Sequence, residues 1–309
     1  WLFETLMFPA RVLQGIPALL KGVQALPLPT SARRLARMIP RGQSTSPPYG
    51  NIARKGDASG RASRPRVGLF LGCVMRSLFS GVHRATMAVL ERHGFDVVVP
   101  QGQWCCGALN VHAGERTQAR IMATRNVDAF GGAQVDCIVV NSAGCGAMLK
   151  EYRELLGDDD RTRSFCAKVK DVNELLGETQ AQTGLGSLPG RVTYHDACHL
   201  AHGQRIRRQP RELLKRIPGL EYVELQGADE CCGAAGVYSL THPHLSAAIL
   251  EKKLDAVEAS RADVVATANP GCAMQLQAGL LERRSTTRVC HPVELLAESY
   301  SAGLRTRPT

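Results

Sequence analysis

Short runs of β-branched and other apolar residues alternate along the chain with longer stretches whose apolar positions recur every third or fourth residue. RVGLFLG (66–72), FDVVVP (95–100) and CIVVN (137–141) are of the first kind and have the length and composition of buried strands. The stretch LFSGVHRATMAVLERHG (78–94) between the first two is of the second kind and predicts one helix. The same rhythm returns in RVTYHD (191–196), EYVEL (221–225), DVVATAN (263–269) and TRVCH (287–291), with a helix predicted over HLSAAILEKKLDAVEAS (244–260). Strand, helix, strand in this order implies right-handed crossovers and a parallel sheet. The expectation is therefore an α/β fold with two layers of about four strands each, related by a pseudo-twofold axis.

A tandem duplication underlies the rhythm. WCCGAL (104–109) matches ECCGAA (230–235), and a lone cysteine precedes each pair, Cys73 in LGCVM and Cys198 in DACHL, by 32 and 33 residues. Another follows, Cys145 in NSAGCGAM and Cys272 in NPGCAMQL, 39 and 40 residues beyond the latter cysteine of the pair. Each unit closes on a similar string, VNELL (172–176) and PVELL (292–296), so that Glu174 and Glu294 correspond. Four landmarks in the same order divide the chain into an arm over 1–65, a first unit over 66–185 and a second over 186–309. The lengths differ near GDDDRTRS (157–164), which is expected to be a loop.

Composition narrows the class. With 44% hydrophobic and 21% charged residues over 309 positions, the chain is an ordinary globular sequence, neither disordered nor a coiled coil. Eleven cysteines are too few for a small disulfide-stapled scaffold, and their odd number disfavours a secreted one. Pro9, Pro17, Pro27 and Pro29 interrupt the one apolar N-terminal region, leaving nothing near the roughly 20 apolar residues of a membrane helix. Most of the net charge of +10 lies in the arm, where ten Lys and Arg stand against Glu4 and Asp57. Such an arm suits an anionic membrane surface or an acidic partner as well as a solvated linker. Its few aromatics (Trp1, Phe3, Phe8, Tyr49) are not interleaved with the arginines, which argues against nucleic acid. The chain starts at Trp1, in a segment without a signal-peptide cleavage pattern, and reads as the continuation of a longer protein.

The duplicated cysteines carry the chemistry. Cys73, Cys105, Cys106 and Cys145 in one unit, and Cys198, Cys231, Cys232 and Cys272 in the other, each follow a predicted strand and precede a predicted helix. They should gather at the carboxyl ends of parallel strands, the ligand edge of open α/β sheets, where helix N-termini favour thiolates. Four uses remain open: buried small hydrophobes, a disulfide relay, one tetrahedral zinc per unit with His195, His199 or His202 as a spare ligand in the second, and an iron-sulfur cluster. Duplication of the outer cysteines favours a bound centre, and adjacent cysteines suit two metals of a cluster better than one ion. Cys137 and Cys290, in predicted strands, and Cys166, in a predicted loop, read as structural.

The order Cys, CCG, then GC, given twice, resembles the tandem cysteine-rich (CCG) domains found in heterodisulfide reductases and in the proteins that accompany glycolate, lactate, glycerol-3-phosphate and succinate oxidation. TYHDACHLAHGQRIRRQPRELL (193–214), CCGAAGVYSLTHP (231–243), ATANPGCAMQLQAGL (266–280) and NSAGCGAMLKEY (141–152) look most like the iron-sulfur subunits of glycolate oxidases (glycolate dehydrogenases). The resemblance covers about 66–300. It implies [4Fe-4S] clusters on the eight cysteines and a separate FAD-binding glycolate oxidase subunit that oxidises the 2-hydroxy acid. Electrons would pass onward to a quinone-type acceptor, in a cytoplasmic complex peripheral to the inner face of the membrane, with this subunit not catalytic alone. It also implies that residues 1–65 are the helical connector after a ferredoxin-like domain. The fuller family motif ends in CxxC, whereas this chain has Ser142 and Asn269 three residues before Cys145 and Cys272. With four thiols per unit, the expectation is an ordinary cubane [4Fe-4S] or a site with one non-cysteine ligand, and the departure argues against disulfide-cleaving chemistry, the enzyme-class alternative; a zinc-stabilised assembly scaffold is the structural-class one.

The other polar residues are expected to be ordinary. His195, His199 and His202 are open to ligation, quinone contact or proton carriage, but hydrogen bonding to loop backbone is the simpler use, and His112 is similar. Glu174 and Glu294 are expected in the first turns of helices, where they complement the dipole. Arg205, Arg207, Arg208 and Arg211 are expected on a solvated helix face.

Overall fold

The computed structural model describes residues 21–24, 36–40, 64–179 and 183–305. In the first half, β1 (Arg66–Phe70) lies between β2 (Asp96–Val98) and β3 (Cys137–Val140), and β4 (Val169–Asp171) extends the β3 side. All pairings are parallel. The second half repeats this with β5 (Gly190–Tyr194) between β6 (Leu220–Tyr222) and β7 (Val264–Ala266), followed by β8 (Arg288–Cys290), again all parallel. The two expected parallel sheets are both present, in the same strand order.

Helices connect the strands. In the first half these are α1 (Cys73–Leu78), α2 (Ser80–Arg92), α3 (Ala108–His112), α4 (Arg116–Gly131), α5 (Ala143–Lys150), α6 (Tyr152–Leu156), α7 (Asp160–Lys168) and α8 (Val172–Glu178). In the second they are α9 (Arg208–Lys215), α10 (Tyr238–Thr241), α11 (Pro243–Ala259), α12 (Pro270–Glu282) and α13 (Pro292–Arg305), with a π-type turn over His199–Gly203.

The local expectations need adjusting at three places. The helix expected over 78–94 forms as Ser80–Arg92 and starts after Phe79, which buries its ring in the core and leaves helical geometry (φ −124°, ψ 36°). The stretch after Gly157 is helical from Asp160, because the Asp159 carboxylate accepts from Thr162 N (2.7 Å) and caps α7; Cys166 therefore lies in a helix. The fourth strand of the first half, Val169–Asp171, carries a lysine and was not legible as apolar.

One core joins the halves. Val67, Leu69 and Val139 of the first sheet share a cluster with Val192, Tyr194 and Ala266 of the second. The helix pairs between them are reciprocal: α2 packs on α13, and α8 on α9. Each half offers its first long helix to the other's last, as a pseudo-twofold axis requires. Across this seam His93 bonds Thr179 Oγ1 and Tyr300 Oη, both at 2.9 Å. The closing strings use one capping device. Glu174 accepts from Asp171 N (3.1 Å) and Glu294 from His291 N (2.9 Å), each at the start of its helix.

Most of the expected arm over 1–65 lies outside the described residues. Within it, Ala36, Met38 and Ile39 are buried, and Arg37 pairs with Glu282 at 3.4 Å, so this piece is packed rather than solvated. No helix among the described residues is long and apolar enough to cross a membrane.

Candidate metal centres

The strand ends deliver the eight repeated cysteines to the carboxyl edges of the two sheets. In the first half, Cys73 opens α1 beyond β1, Cys105 and Cys106 occupy the loop between β2 and α3, and Cys145 sits in the first turn of α5 beyond β3. Cys105 Sγ is 3.4 Å from Cys73 Sγ, while Cys106 contacts Cys145. The adjacent pair thus splits, the earlier thiol toward the upstream cysteine and the later toward the downstream one. In the second half Cys232 contacts Cys272, and Cys198 stands near enough to Cys231 for their charges to interact.

Glycine makes the CC turn. Gly107 and Gly233 both have left-handed φ, 82° and 84°, which lets their backbone N–H groups turn onto the preceding sulfurs: Gly107 N to Cys105 Sγ at 3.5 Å and Gly233 N to Cys231 Sγ at 3.3 Å. Their placement also seats each turn on a helix, since a Cβ at Gly107 would touch Ala119 at 3.3 Å and one at Gly233 would lie 2.5 Å from Ser246 O.

Buried polar side chains stake the first loop from beneath. Gln103 accepts from Leu71 N (2.8 Å) and donates to Leu69 O (3.1 Å) and Pro100 O (3.0 Å). Asn126 accepts from Trp104 N (2.7 Å) and donates to Cys105 O (3.0 Å) and to Tyr152 Oη (2.9 Å), which in turn donates to Cys106 O (2.9 Å). Sequence reasoning missed these three residues, since nothing local marks them. In the second half, Ser246 donates to Gly233 O (2.8 Å) and accepts from Gln275 (2.9 Å).

The thiols of the first half do not ionise alike. Hydrogen bonds from Cys106 and Cys73, with the Gly107 N–H and nearby Arg76, hold Cys105 far below an ordinary thiol. Cys73 and Cys106 are pushed up in consequence, by their bond to Cys105 and by burial. In the second half the contact with Cys232 and burial raise Cys231, and burial raises Cys198. The contact with Cys231 pulls Cys232 down, but Cys272 and burial outweigh it. Filling these sites with a metal centre must therefore release protons.

The histidines separate. His195 is buried, 1% exposed, and neither ring nitrogen has an oxygen or nitrogen partner; the group its ring meets is the Cys232 thiol. Its nearest ligating nitrogen, Cys232 Sγ and Cys272 Sγ all lie within 4.8 Å of one another. The expected bonding to loop backbone is thus absent. His199 stacks on His112 of the first half, ring centroids 6.0 Å apart, and its pKa is lowered by burial and by that neighbour. His202 is exposed and its Nδ1 accepts from Arg207 (2.9 Å).

Arg211 corrects another expectation. It lies in α9 but, instead of facing solvent, donates to both oxygens of Asp196 (2.9 and 2.7 Å) and to Glu224 (2.7 Å). Asp196 is 3% exposed and directly follows His195, so the ion pair fixes the strand end that presents the ring. Arg207 pairs with Asp229 at 3.2 Å and Arg208 with Glu212 at 3.0 Å.

The cysteine-bearing turns after β3 and β7 meet across the seam. Ala143 N donates to Ala268 O (2.9 Å), and Gly144 N to Asn269 Oδ1 (3.1 Å), while Asn269 Nδ2 lies 3.6 Å from Cys272 Sγ. The residue standing where the fuller motif has a cysteine thus links the two cysteine-bearing turns through its amide. Soft sulfur donors around glycine turns, together with a buried imidazole beside them, are the donor set of a thiophilic metal centre, and they fit an iron-sulfur cluster.

Comparison with known proteins agrees with this arrangement. The family model described as "Cysteine-rich domain" (CCG) matches residues 67–150 and again 192–277. The chain is 40% identical over 246 residues to the "Probable glycolate oxidase iron-sulfur subunit" of Bacillus subtilis, covering 76% of this chain and 55% of that protein. It is 33% identical over 246 residues to one subunit of the "Fumarate reductase (CoM/CoB)" of Methanothermobacter marburgensis, covering 79% and 48%. With "Lactate utilization protein A" of Shouchella clausii the identity is 32% over 235 residues, 74% and 98% of the two chains. The chain spans about half the length of the first two relatives. With both matched segments falling on the two sheets and their cysteine edges, this chain belongs to the cysteine-rich CCG domain family, of which it carries two tandem copies.

Proposed function

We propose that this chain is an iron-sulfur electron-transfer subunit of a flavoprotein complex that oxidises a 2-hydroxy acid of the glycolate or lactate type. The observation that carries this reading is the pair of matched thiol sets at two sheet edges that touch through Asn269. Cys73, Cys105, Cys106 and Cys145 would hold one [4Fe-4S] cluster. Cys198, Cys231, Cys232 and Cys272 would supply the thiolates of the other. A bound cluster supplies reversible one-electron storage at each edge. The protein's own part is to bury Cys106, Cys232 and Cys272 in apolar clusters, to fix the sulfurs through the CC loops, and to stabilise their negative charge with the Gly107 and Gly233 N–H groups.

A FAD subunit would deliver the electrons and a quinone-type acceptor would receive them. The basic residues of the arm suit contact with that partner or with an anionic membrane surface. Ser142 and Asn269 leave each half without the additional thiol of the disulfide-cleaving relatives, so electron transfer is favoured over thiol chemistry. The compact group of His195, Cys232 and Cys272 is what favours a second reading, a zinc-stabilised scaffold.

Anaerobic purification with iron, sulfide and zinc analysis, and EPR before and after dithionite, separates the two. About four iron and four sulfide per occupied centre with a reducible signal supports the proposal, and Cys231→Ser should remove the second centre alone. Stoichiometric zinc without labile sulfide refutes it.

A further inference from the structure

The duplication makes the two halves comparable residue by residue, and at one position beside the thiols they differ in chemistry. Alignment of Cys73 with Cys198 places Phe70 opposite His195, at the ends of β1 and β5. Both are buried, at 1% exposure. Both also face their centres. A Cβ built on Gly72 would touch the Phe70 ring at 3.5 Å and Cys145 Sγ at 3.4 Å, and the ligating atom of His195 lies within 4.8 Å of Cys232 and Cys272. Phe70 is satisfied where it is, tilted on Phe130 with ring centroids 6.2 Å apart inside an apolar cluster. His195 is not: its two nitrogens are sealed from water without an oxygen or nitrogen partner, and what the ring meets is the Cys232 thiol.

A buried imidazole in that state is held for a ligand, and the donors beside it are sulfurs. The geometry points to His195 as a direct ligand of the second metal centre, so that the first is bound by thiolates only and the second by thiolates and one imidazole. This rests on the iron-sulfur reading and deepens it. The Arg211–Asp196 pair fixes the residue next to His195, and Cys198 Sγ lies 3.6 Å from His199 Nδ1. With the imidazole in place of one of the four thiolates of that half, the centre is less negative and easier to reduce, so electrons entering the chain would rest in the second half.

The test uses the reconstituted whole chain carrying Cys106→Ser, which should silence the first centre, made with ordinary and with nitrogen-15 histidine. Pulsed EPR of the dithionite-reduced second centre should show a nitrogen coupling that changes with the label and is absent from His195→Phe. In the chain with both centres intact, the second should have the higher midpoint potential. Bound iron and sulfide in the second half with no label-dependent coupling overturns the inference while leaving the iron-sulfur reading standing. A coupling that survives His195→Phe also overturns it, by assigning the nitrogen to another histidine. Absence of iron and sulfide from both halves overturns the reading itself and the inference with it. The labelled chain with its native His195 carries the test even if His195→Phe fails to fold.

Discussion

Replacing the glycine of each CCG by alanine is expected to harm the two halves unequally. Gly107 and Gly233 have the same left-handed backbone, so an L-residue costs about 1–2 kcal/mol at either. The smaller entropy of an alanine-containing unfolded chain returns up to about 1 kcal/mol in both cases and cancels in the comparison. The difference lies in what the new methyl group meets. At Gly107 it touches Ala119 at 3.3 Å, a gap closed by a shift of a few tenths of an ångström. At Gly233 it falls 2.5 Å from the backbone oxygen of Ser246, which cannot rotate away because it belongs to α11. Forcing an extra carbon into a packed site costs about 1–3 kcal/mol, and the same displacement strains the Ser246 bond to Gly233 O. Gly233→Ala should therefore unfold on the order of 5 °C below Gly107→Ala, at about 2–4 °C per kcal/mol for a domain of this size. It should also lose iron from the second centre first, because the Gly233 N–H aimed at Cys231 moves with the turn. Thermal unfolding by circular dichroism, with iron measured per chain, makes the comparison. Equal melting of the two variants would show that Ser246 does not brace the turn and would refute the packing argument.

Two further outcomes follow from buried charge. Burial raises Asp171 to about 6, against hydrogen bonds from Asn173 that pull it down; with the folded pKa above the unfolded one, the native state holds the extra proton, and stability falls as pH rises from about 4 through 6. Asp171→Asn keeps a capping side chain, so its advantage over the parent should grow across that interval to about 2–3 kcal/mol and then level off, as urea unfolding at a series of pH values would show; an unchanging difference contradicts it. Arg211→Met strands the Asp196 carboxylate and should cost about 3 kcal/mol, most of it recovered in the double variant with Asp196→Asn; denaturant unfolding of the single and double variants measures this, and independent, additive effects would deny the pair.

Much of the site was legible because its signals are local or repeated. The cysteine spacing survives duplication, and the apolar runs before each cysteine are long enough to declare strands whose carboxyl ends must carry the thiols. Val169–Asp171 escaped because three residues with a central lysine have no readable alternation, and they become a strand only by pairing with β3. Arg211 read as a surface residue because four arginines stand close together, yet its partners, Asp196 and Glu224, come from other segments.

The sequence by itself determined the duplication, the parallel α/β architecture and the placing of the eight repeated cysteines at the strand ends, since periodicity and spacing are properties of neighbours along the chain. Only the tertiary structure decided how the halves differ. It buried His195 beside Cys232 and Cys272, set Phe70 against Phe130 in the matching place, and put the Asn269 amide between the two cysteine turns. Each of these depends on which distant side chains exclude water from a polar group, and burial of that kind is decided by packing across the seam.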